Sequence, residues 1–495
     1  MVSQAEIDAL RAVPLDPRKL LIDGSFRDAA DGETLAVSSP IDGRSLTSIA
    51  SASKQDVHAA VTSARHSYER GAWSKAAPAA RKKVLLRLAD LIEKHTLELA
   101  VLGVRDNGTE IKMAMRAEPG SAAATFRYYA EAIDKIYGEV APTDDQHLGL
   151  MHREPVGVVG AIVPWNFPLM IGAWKLAPAL AVGNSVVLKP AESASLSLLR
   201  IGELALEAGL PDGVLNIVTG RGAETGEALA LHMDVDVLAF TGSGAVGRRL
   251  LEYSAQSNLK RVFLELGGKS PNIVFADAQD IDVAVAGSIN GMFRNSGQVC
   301  VAGSRLLVQR NVAQEFTEKL VAAASSLRVG DPLDLASDVG AISNDEQLAT
   351  DLRYIEIAQR EGATLATGGH RILEGSGGYY LEPTIFRDVR SDMTIAQEEV
   401  FGPVLSIMEF DDDEEAIRIA NSTPYGLAAG VWTANLARAH KMVRAIRSGV
   451  VHVNCYGGAD ITLPLGGVKQ SGNGHDRSLH AIDKFTDLKT AWFSL

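Results

Sequence analysis

The chain has 495 residues, too many for one hydrophobic core, so two or three domains are expected. Its formal net charge of −13, with no run of Lys and Arg, leaves no surface for a nucleic-acid partner. Hydrophobic residues at 46% and charged residues at 22% describe an ordinary globular protein, and two cysteines without C-x-x-C spacing form neither a zinc site nor a disulfide framework and fit a reducing compartment.

Residues 1–11 mix polar, acidic and apolar side chains and do not make a secretory signal. Residues 20–50 alternate short apolar runs with Asp-Gly turns (Asp23-Gly24, Asp31-Gly32, Asp42-Gly43), which predicts small antiparallel strands. Helical periodicity follows from Lys54 to about Val104. Val57, Ala60, Val61 and Ala64 share one face, as do Val84, Leu85, Leu88, Leu91 and Ile92. Another helix is expected from Ala122 to Ile136, and the polar stretch 137–153 reads as an excursion or arm. Residues 155–174 carry no charged side chain and are long enough to span a bilayer. Pro155, Pro164, Pro168, three glycines and Asn166 would interrupt a spanning helix, so a buried strand and a functional turn are expected, with no membrane partner and a cytoplasmic location.

From Val156 short apolar strands alternate with helices. Strands are expected at 156–163, 185–188, 214–218, 235–240 and 261–266, and helices at 195–208 and from Val246. This rhythm predicts a parallel α/β sheet covered on both faces. Gly267-Gly268 reads as a hinge into a second α/β domain, with strands near 272–275 and 304–309 and helices near 312–326 and 347–361. The tail looks extended over 490–495.

Several stretches along this scaffold carry chemistry. In Asn295-Ser296-Gly297-Gln298-Val299-Cys300-Val301-Ala302-Gly303, Cys300 is either inert core or a nucleophile. Two prolines in Pro164-Trp165-Asn166-Phe167-Pro168 fix the backbone of Asn166, which is either a turn residue or a rigidly aimed oxyanion donor. Lys189 and Glu192 follow a strand, where they could hold ribose hydroxyls or form a solvated pair. Gly242, Gly244 and Gly247 match G-x-G-x-x-G at a strand-to-helix junction, a weak signal by itself. Glu265 at an apolar strand end suits a general base with a raised pKa, or an ion pair with Lys269 or Arg261. Glu398-Glu399 offers a further pair of carboxylates, and the eleven histidines show no ligand spacing, so no metal is inferred.

In their order and spacing these segments resemble the NAD(P)-dependent aldehyde dehydrogenase superfamily, from about Leu20 to Leu495. The resemblance implies an α/β fold of two Rossmann-type parallel domains plus a small oligomerisation arm. Residues 1–136 and 156–266 would bind NAD, 267–475 would form the catalytic domain, and 137–155 with 476–495 the arm of a homotetramer or homodimer. It implies that Cys300, as thiolate, attacks an aldehyde, that Asn166 and the Cys300 N–H receive the oxyanion, and that Glu265 activates the water that releases a carboxylate. Lys189 and Glu192 would hold the adenosine ribose and favour NAD over NADP, with Gly242, Ser243 and Gly247 at the diphosphate and Trp165 beside the dinucleotide. Gln347, Glu399 and Phe401 would hold the nicotinamide end, where Leu348-Ala349-Thr350 replaces a lysine that many members carry.

The substrate tunnel implied by the resemblance involves Phe167, Met170, Trp174, Val299, Val301 and Leu465. Within the superfamily, Tyr129–Lys135, Arg153–Val158 and Lys469–Gly474 are most similar to bacterial dehydrogenases of γ-glutamyl-aminobutyraldehyde and guanidinobutyraldehyde. Asp460 and Glu118 match acidic positions there, and negative charge at a tunnel mouth suits a cationic or amide-bearing aldehyde. Arg294 departs from that pattern, since these relatives carry Phe or Tyr. Succinic-semialdehyde dehydrogenases place an arginine there, although their second arginine is Trp174 in this chain. Arg294 therefore either binds an anionic substrate, making a semialdehyde the alternative, or pairs with Glu118 or Asp460. A catalytically silent protein of the same fold is the remaining alternative.

Overall fold

A computed structural model describes residues 2–458 and 460–495. The helix Lys54–Arg70 starts at a capping box between Ser53 and Asp56 and stops at Gly71 in the left-handed conformation. Its face of Val57, Ala60, Val61 and Ala64 is buried against Val158, Val187 and Val218 of the first sheet. That sheet has eight strands, in the order Ser25–Arg27, Leu20–Ile22, Leu215–Ile217, Ser185–Lys189, Val158–Ile162, Val237–Thr241, Arg261–Glu265 and Gly472–Asn473. The five central strands run parallel, and antiparallel partners close both edges. Strands covered on both faces bury the side chains of both faces, which is why Val158–Ile162, Val186–Leu188 and Val237–Phe240 at the centre of this sheet carry no polar side chain. The chain builds outward from Val158–Ile162 on one side, then resumes on the other with Val237–Thr241. This reversal of strand order opens a crevice at the carboxyl ends of the strands.

The second sheet has seven strands, in the order Thr364–Thr367, Thr384–Arg387, Val404–Phe410, Arg305–Gln309, Pro271–Val274, Ala428–Trp432 and Val450–Val453. All pairs except the one at the Thr364 edge are parallel. The excursion expected at 137–153 pairs as Glu139–Ala141 and His147–Pro155 with the C-terminal strand Thr486–Ser494 in a three-stranded antiparallel sheet. The extended tail thus begins four residues earlier than the sequence suggested, because the register is set by the partner strand.

The charge-free stretch 155–174 becomes the strand Val158–Ile162, a turn, and the first half of the helix Pro168–Ala181. Among the described residues no helix is long and apolar enough to cross a membrane. The helix expected over 122–136 spans Ser121–Ala132 and tightens into a 3₁₀ turn at Ile133–Lys135.

Candidate active site

The turn after the Val158 strand places Asn166 against the cysteine loop. Pro168 opens the following helix at a position where its missing N–H costs nothing. Asn166 is buried, and its Nδ2 donates to the Gln298 carbonyl at 2.8 Å, while Asn295 Nδ2 donates to the Asn166 carbonyl at 3.1 Å. One amide N–H of Asn166 is thereby used to fix its orientation, and the other remains available.

The cysteine loop is strained. Asn295, Ser296 and Gly297 have φ of 49°, 52° and 72°, three consecutive left-handed residues. A non-glycine there costs of order 1–3 kcal/mol and persists where the surroundings over-determine it. Here Asn295 N–H donates to Glu110 Oε1 at 3.0 Å, Thr109 Oγ1 to Asn295 Oδ1 at 2.7 Å, and Ser343 N–H to Gln298 Oε1 at 2.9 Å. Gly297 must be glycine, since a Cβ would lie 2.2 Å from the Gly402 carbonyl oxygen.

This loop delivers half-buried Cys300 to the wall of a cavity of about 720 Å³. Among the described residues no acceptor takes the Cys300 N–H, so this donor and the spare Asn166 N–H are both free for an oxyanion. Burial pushes the Cys300 thiol up to about 12, with the Glu399 and Glu265 carboxylates acting in the same direction. The resting cysteine is therefore held as a thiol, and the thiolate that the resemblance implies as the attacking species has to be generated at the site. Low dielectric around the sulfur is the reason, and a base must take the proton.

Glu265 stands at the end of the strand Arg261–Glu265, buried, with Oε1 unpartnered. Its carboxyl is raised well above the ordinary range by burial and then by the Asp476 charge. The ion pairs considered from sequence do not form: Arg261 pairs with Asp487 at 2.8 Å, and Lys269 Nζ is buried without a partner. Behind Glu265, Asp476 accepts from both Lys175 and Lys484, and all three side chains are buried.

The expected cofactor residues follow the carboxyl ends of the strands Val158–Ile162, Ser185–Lys189 and Val237–Thr241, and the Glu399–Phe401 turn of the second sheet's half meets them at Trp165. Lys189 Nζ meets Glu192 Oε2 at 3.0 Å, and Glu192 Oε1 accepts from Gly222 N–H at 3.3 Å. Ser243 caps the helix Gly244–Gln256, with its Oγ accepting from Val246 N–H at 3.3 Å, after the turn at Gly242. Gly247 lies one turn into that helix and serves packing, since a Cβ would stand 2.9 Å from Leu266. Trp165 and Phe401 meet edge to face with ring centroids 5.3 Å apart, and Phe401 is held at φ 64°. Glu399 Oε1 accepts from Gly268 N–H at 3.0 Å, and burial pushes its carboxyl up to about 7. A Cβ at Gly267 would stand 1.9 Å from Glu399 Oε2, so the glycine pair makes room for this carboxylate. Gln347 Nε2 donates to Asp351 Oδ1 at 2.8 Å and to the Val400 carbonyl at 3.0 Å, which makes it a brace for the Glu399–Phe401 turn. A helix N-terminus after the strand Val237–Thr241, a carboxylate after the strand Ser185–Lys189 and a cleft at the strand-order reversal between them together fit a dinucleotide.

Comparison with known proteins agrees with this geometry. The aldehyde dehydrogenase family model matches residues 26–491. The NADP/NAD-dependent aldehyde dehydrogenase PuuC of Escherichia coli (strain K12) is 48% identical over 477 residues, 96% of each chain. The chain belongs to the aldehyde dehydrogenase family. The solved structure of an indole-3-acetaldehyde dehydrogenase complexed with NAD+ superposes on this aldehyde dehydrogenase with a TM-score of 0.98, at 51% identity and full coverage of both chains. The γ-glutamyl-γ-aminobutyraldehyde dehydrogenase of Burkholderia cenocepacia J2315 gives the same figures, TM-score 0.98, 51% identity and full coverage of both.

The cavity of this aldehyde dehydrogenase is lined by Asn166, Phe167, Met170, Trp174, Arg294, Val299, Val301, Asp460 and Leu465 together with Cys300. Glu118 is a correction. It does not line the cavity but is fully buried, accepts from Met170 N–H at 2.7 Å, and has its carboxyl pushed up to about 8 by burial. It secures the start of the Pro168 helix and puts no charge at a tunnel mouth. For Arg294 the sequence left two readings open, a substrate anchor or an internal ion pair. Among the described residues neither Glu118 nor Asp460 forms an ion pair with it, and its Nε is buried without a partner. Asp460 sits exposed on its own loop, accepting from Thr462 N–H at 2.9 Å.

The sequence reading missed Arg477, which also lines the cavity, 5.5 Å above the Trp174 ring. The Asp476-Arg477 pair lies three hundred residues from Trp174, and no local pattern signals the approach. Among the described residues no cluster of His, Cys, Asp or Glu could hold a metal ion.

Proposed function

We propose that this enzyme oxidises an aldehyde to its carboxylic acid with NAD as acceptor, through an acyl group carried on Cys300. The observation that carries the reading is the convergence of the Cys300 sulfur, its free N–H and the spare Asn166 N–H on one cavity wall, with the unpartnered Glu265 carboxyl behind. Cys300 forms a bond to the carbonyl carbon as its proton passes to Glu265, and the two N–H donors hold the resulting oxyanion. NAD, when bound, supplies the acceptor for the hydride that leaves this carbon. The carbonyl then re-forms as a thioester on Cys300. Once Glu265 has released the cysteine's proton to solvent, it takes a proton from the attacking water as the water oxygen bonds to the acyl carbon, and it passes that proton to the sulfur as the carbon–sulfur bond breaks and the thiol is restored.

NAD is favoured over NADP because the Glu192 carboxylate at the end of its strand would repel a 2′-phosphate. Asp460 at the cavity and the γ-glutamyl-γ-aminobutyraldehyde dehydrogenase named above favour an aldehyde derived from an amine. The two-part division of the chain and an oligomerising arm complete the reading. Tyr137, Leu488 and Trp492 on or beside the arm are 74%, 64% and 61% exposed, apolar surface that a second copy would cover in a homodimer or homotetramer. A cytoplasmic site of action fits two free cysteines.

The test is NADH formation by the folded protein with neutral, cationic and anionic aldehydes. Absence of NADH with all of them overturns the reading.

A further inference from the structure

Asn166 stabilises an oxyanion only while its spare N–H points into the cavity, and the groups that aim it lie outside the cavity wall. Asn295 Nδ2 donates to the Asn166 carbonyl at 3.1 Å and to the Gln298 carbonyl at 3.3 Å. The latter is the oxygen that the Asn166 amide itself uses, at 2.8 Å. Asn295 therefore holds Asn166 at its backbone and shares the acceptor of its side chain. Turning the Asn295 amide over would take both contacts away.

Asn295 is gripped in turn by two neighbours from a distant part of the chain. Thr109 Oγ1 donates to Asn295 Oδ1 at 2.7 Å, which fixes the end of that amide that faces Asn166. Glu110 Oε1 accepts from the Asn295 N–H at 3.0 Å and so holds a residue whose φ of 49° a non-glycine adopts only at a cost. Thr109 and Glu110 sit in a braced segment: Thr109 N–H donates to Asn107 Oδ1 at 3.0 Å, Ile111 N–H to the Pro332 carbonyl at 2.8 Å, and Ala341 N–H to the Gly108 carbonyl at 3.1 Å. Asn107, Thr109, Glu110, Asn166, Asn295 and Gln298 are all buried, where solvent does not replace a lost partner. Neither Thr109 nor Glu110 lines the cavity. Burial pushes the Glu110 carboxyl up to about 7, against the Asn295 N–H and the Arg294 and Lys112 charges, which pull it down. Glutamine is therefore a close mimic of its neutral form.

We propose that Thr109 and Glu110 are positioning residues for the oxyanion site: acting through Asn295, they keep the spare Asn166 N–H aimed at the carbonyl oxygen of the bound aldehyde. The inference rests on the aldehyde-oxidation reading and adds to it two residues that touch neither the substrate nor the cofactor. Such residues matter because a misplacement of about 1 Å at the reacting groups can cost about a hundredfold in rate.

Two reactions read the same oxyanion site. One is aldehyde oxidation, followed as NADH. The other is acylation of Cys300 by p-nitrophenyl acetate, followed as the burst of p-nitrophenolate, which needs no NAD. In the ester reaction the sulfur bonds to the acetyl carbon, the thiol proton passes to Glu265, and p-nitrophenolate leaves. Thr109→Val and Glu110→Ala should each lower kcat and the burst rate about tenfold to a hundredfold, with KM for the aldehyde within about threefold of the wild type. Glu110→Gln keeps an acceptor for the Asn295 N–H and should retain most of both rates. On an Asn166→Ala background the same two substitutions should lower the rates little further, because the donor they aim is gone. A single variant with rates close to the wild type, a Glu110→Gln protein as slow as Glu110→Ala, or losses that multiply in full on the Asn166→Ala background overturns the proposal. If Glu110→Ala does not fold, Thr109→Val and its double variant with Asn166→Ala decide. A wild type that gives the burst but forms no NADH from any aldehyde refutes the oxidation reading, and the burst still judges the positioning. A folded wild type that gives neither overturns both.

Discussion

Replacing Glu265 with glutamine probes the centre of the mechanism. Glutamine keeps the size of the side chain but takes no proton, and because Glu265 Oε1 has no partner, the substitution breaks no hydrogen bond at that oxygen. With the thiol pushed up to about 12, about 10⁻⁴ of Cys300 is thiolate near pH 8, so unassisted attack on the aldehyde is slow. Water attack on the thioester loses its base as well. A positioned general base contributes about 10²–10⁴ in rate, or roughly 3–5 kcal/mol of barrier, and kcat should fall by that factor. NADH absorbance under saturating aldehyde and NAD gives the measurement. Hydroxide can replace the missing base, so the variant's residual activity should climb steeply with pH while the wild type changes less. A variant that stays within about tenfold of wild-type kcat near neutral pH, or whose activity is flat with pH, would refute the assignment.

Three other changes test separate parts of the structure. Asn166→Ala removes the side-chain oxyanion donor and should lower kcat by about 10²–10³ with an unchanged melting curve; activity close to wild type would show that the amide is only a turn residue. Asp476→Asn strands two buried ammonium groups, Lys175 and Lys484, and should cost about 3–5 kcal/mol of stability by thermal or denaturant melting, whereas replacing all three by apolar residues of similar volume should restore most of it. An Asp476→Asn protein that melts like the wild type would show the triad to be unimportant for stability. Glu118 is protonated in the folded chain up to about pH 8 but ionises near pH ~4.3 when unfolded, so the unfolded state holds fewer protons in between and this group erodes stability as pH rises from ~4 to ~8. Glu118→Gln keeps an acceptor for Met170 N–H and abolishes that erosion, so the variant should melt above the wild type at pH ~8, by roughly 1–5 kcal/mol, and close to it near pH ~4. A variant less stable than the wild type at the higher pH would contradict the burial argument.

The sequence by itself determined the elements and the reaction class, because both are written in local pattern. Alternating short apolar runs specify parallel strands wherever they sit, and the order of Asn166, Glu265, Cys300 and Glu399 along the chain is a property of the chain alone. The tertiary structure decided what each of those groups experiences. The Cys300 thiol is pushed up by the burial and the carboxylates that folding assembles around it. Glu118, a tunnel residue by its position in the chain, is a buried brace because the Pro168 helix closes over it. Arg294 lacks the carboxylate partner considered for it, and Arg477, silent in the sequence, reaches the same cavity across the Trp174 ring. Those outcomes depend on which side chains and how much water lie within a few ångströms, and residues hundreds of positions apart become neighbours through packing alone.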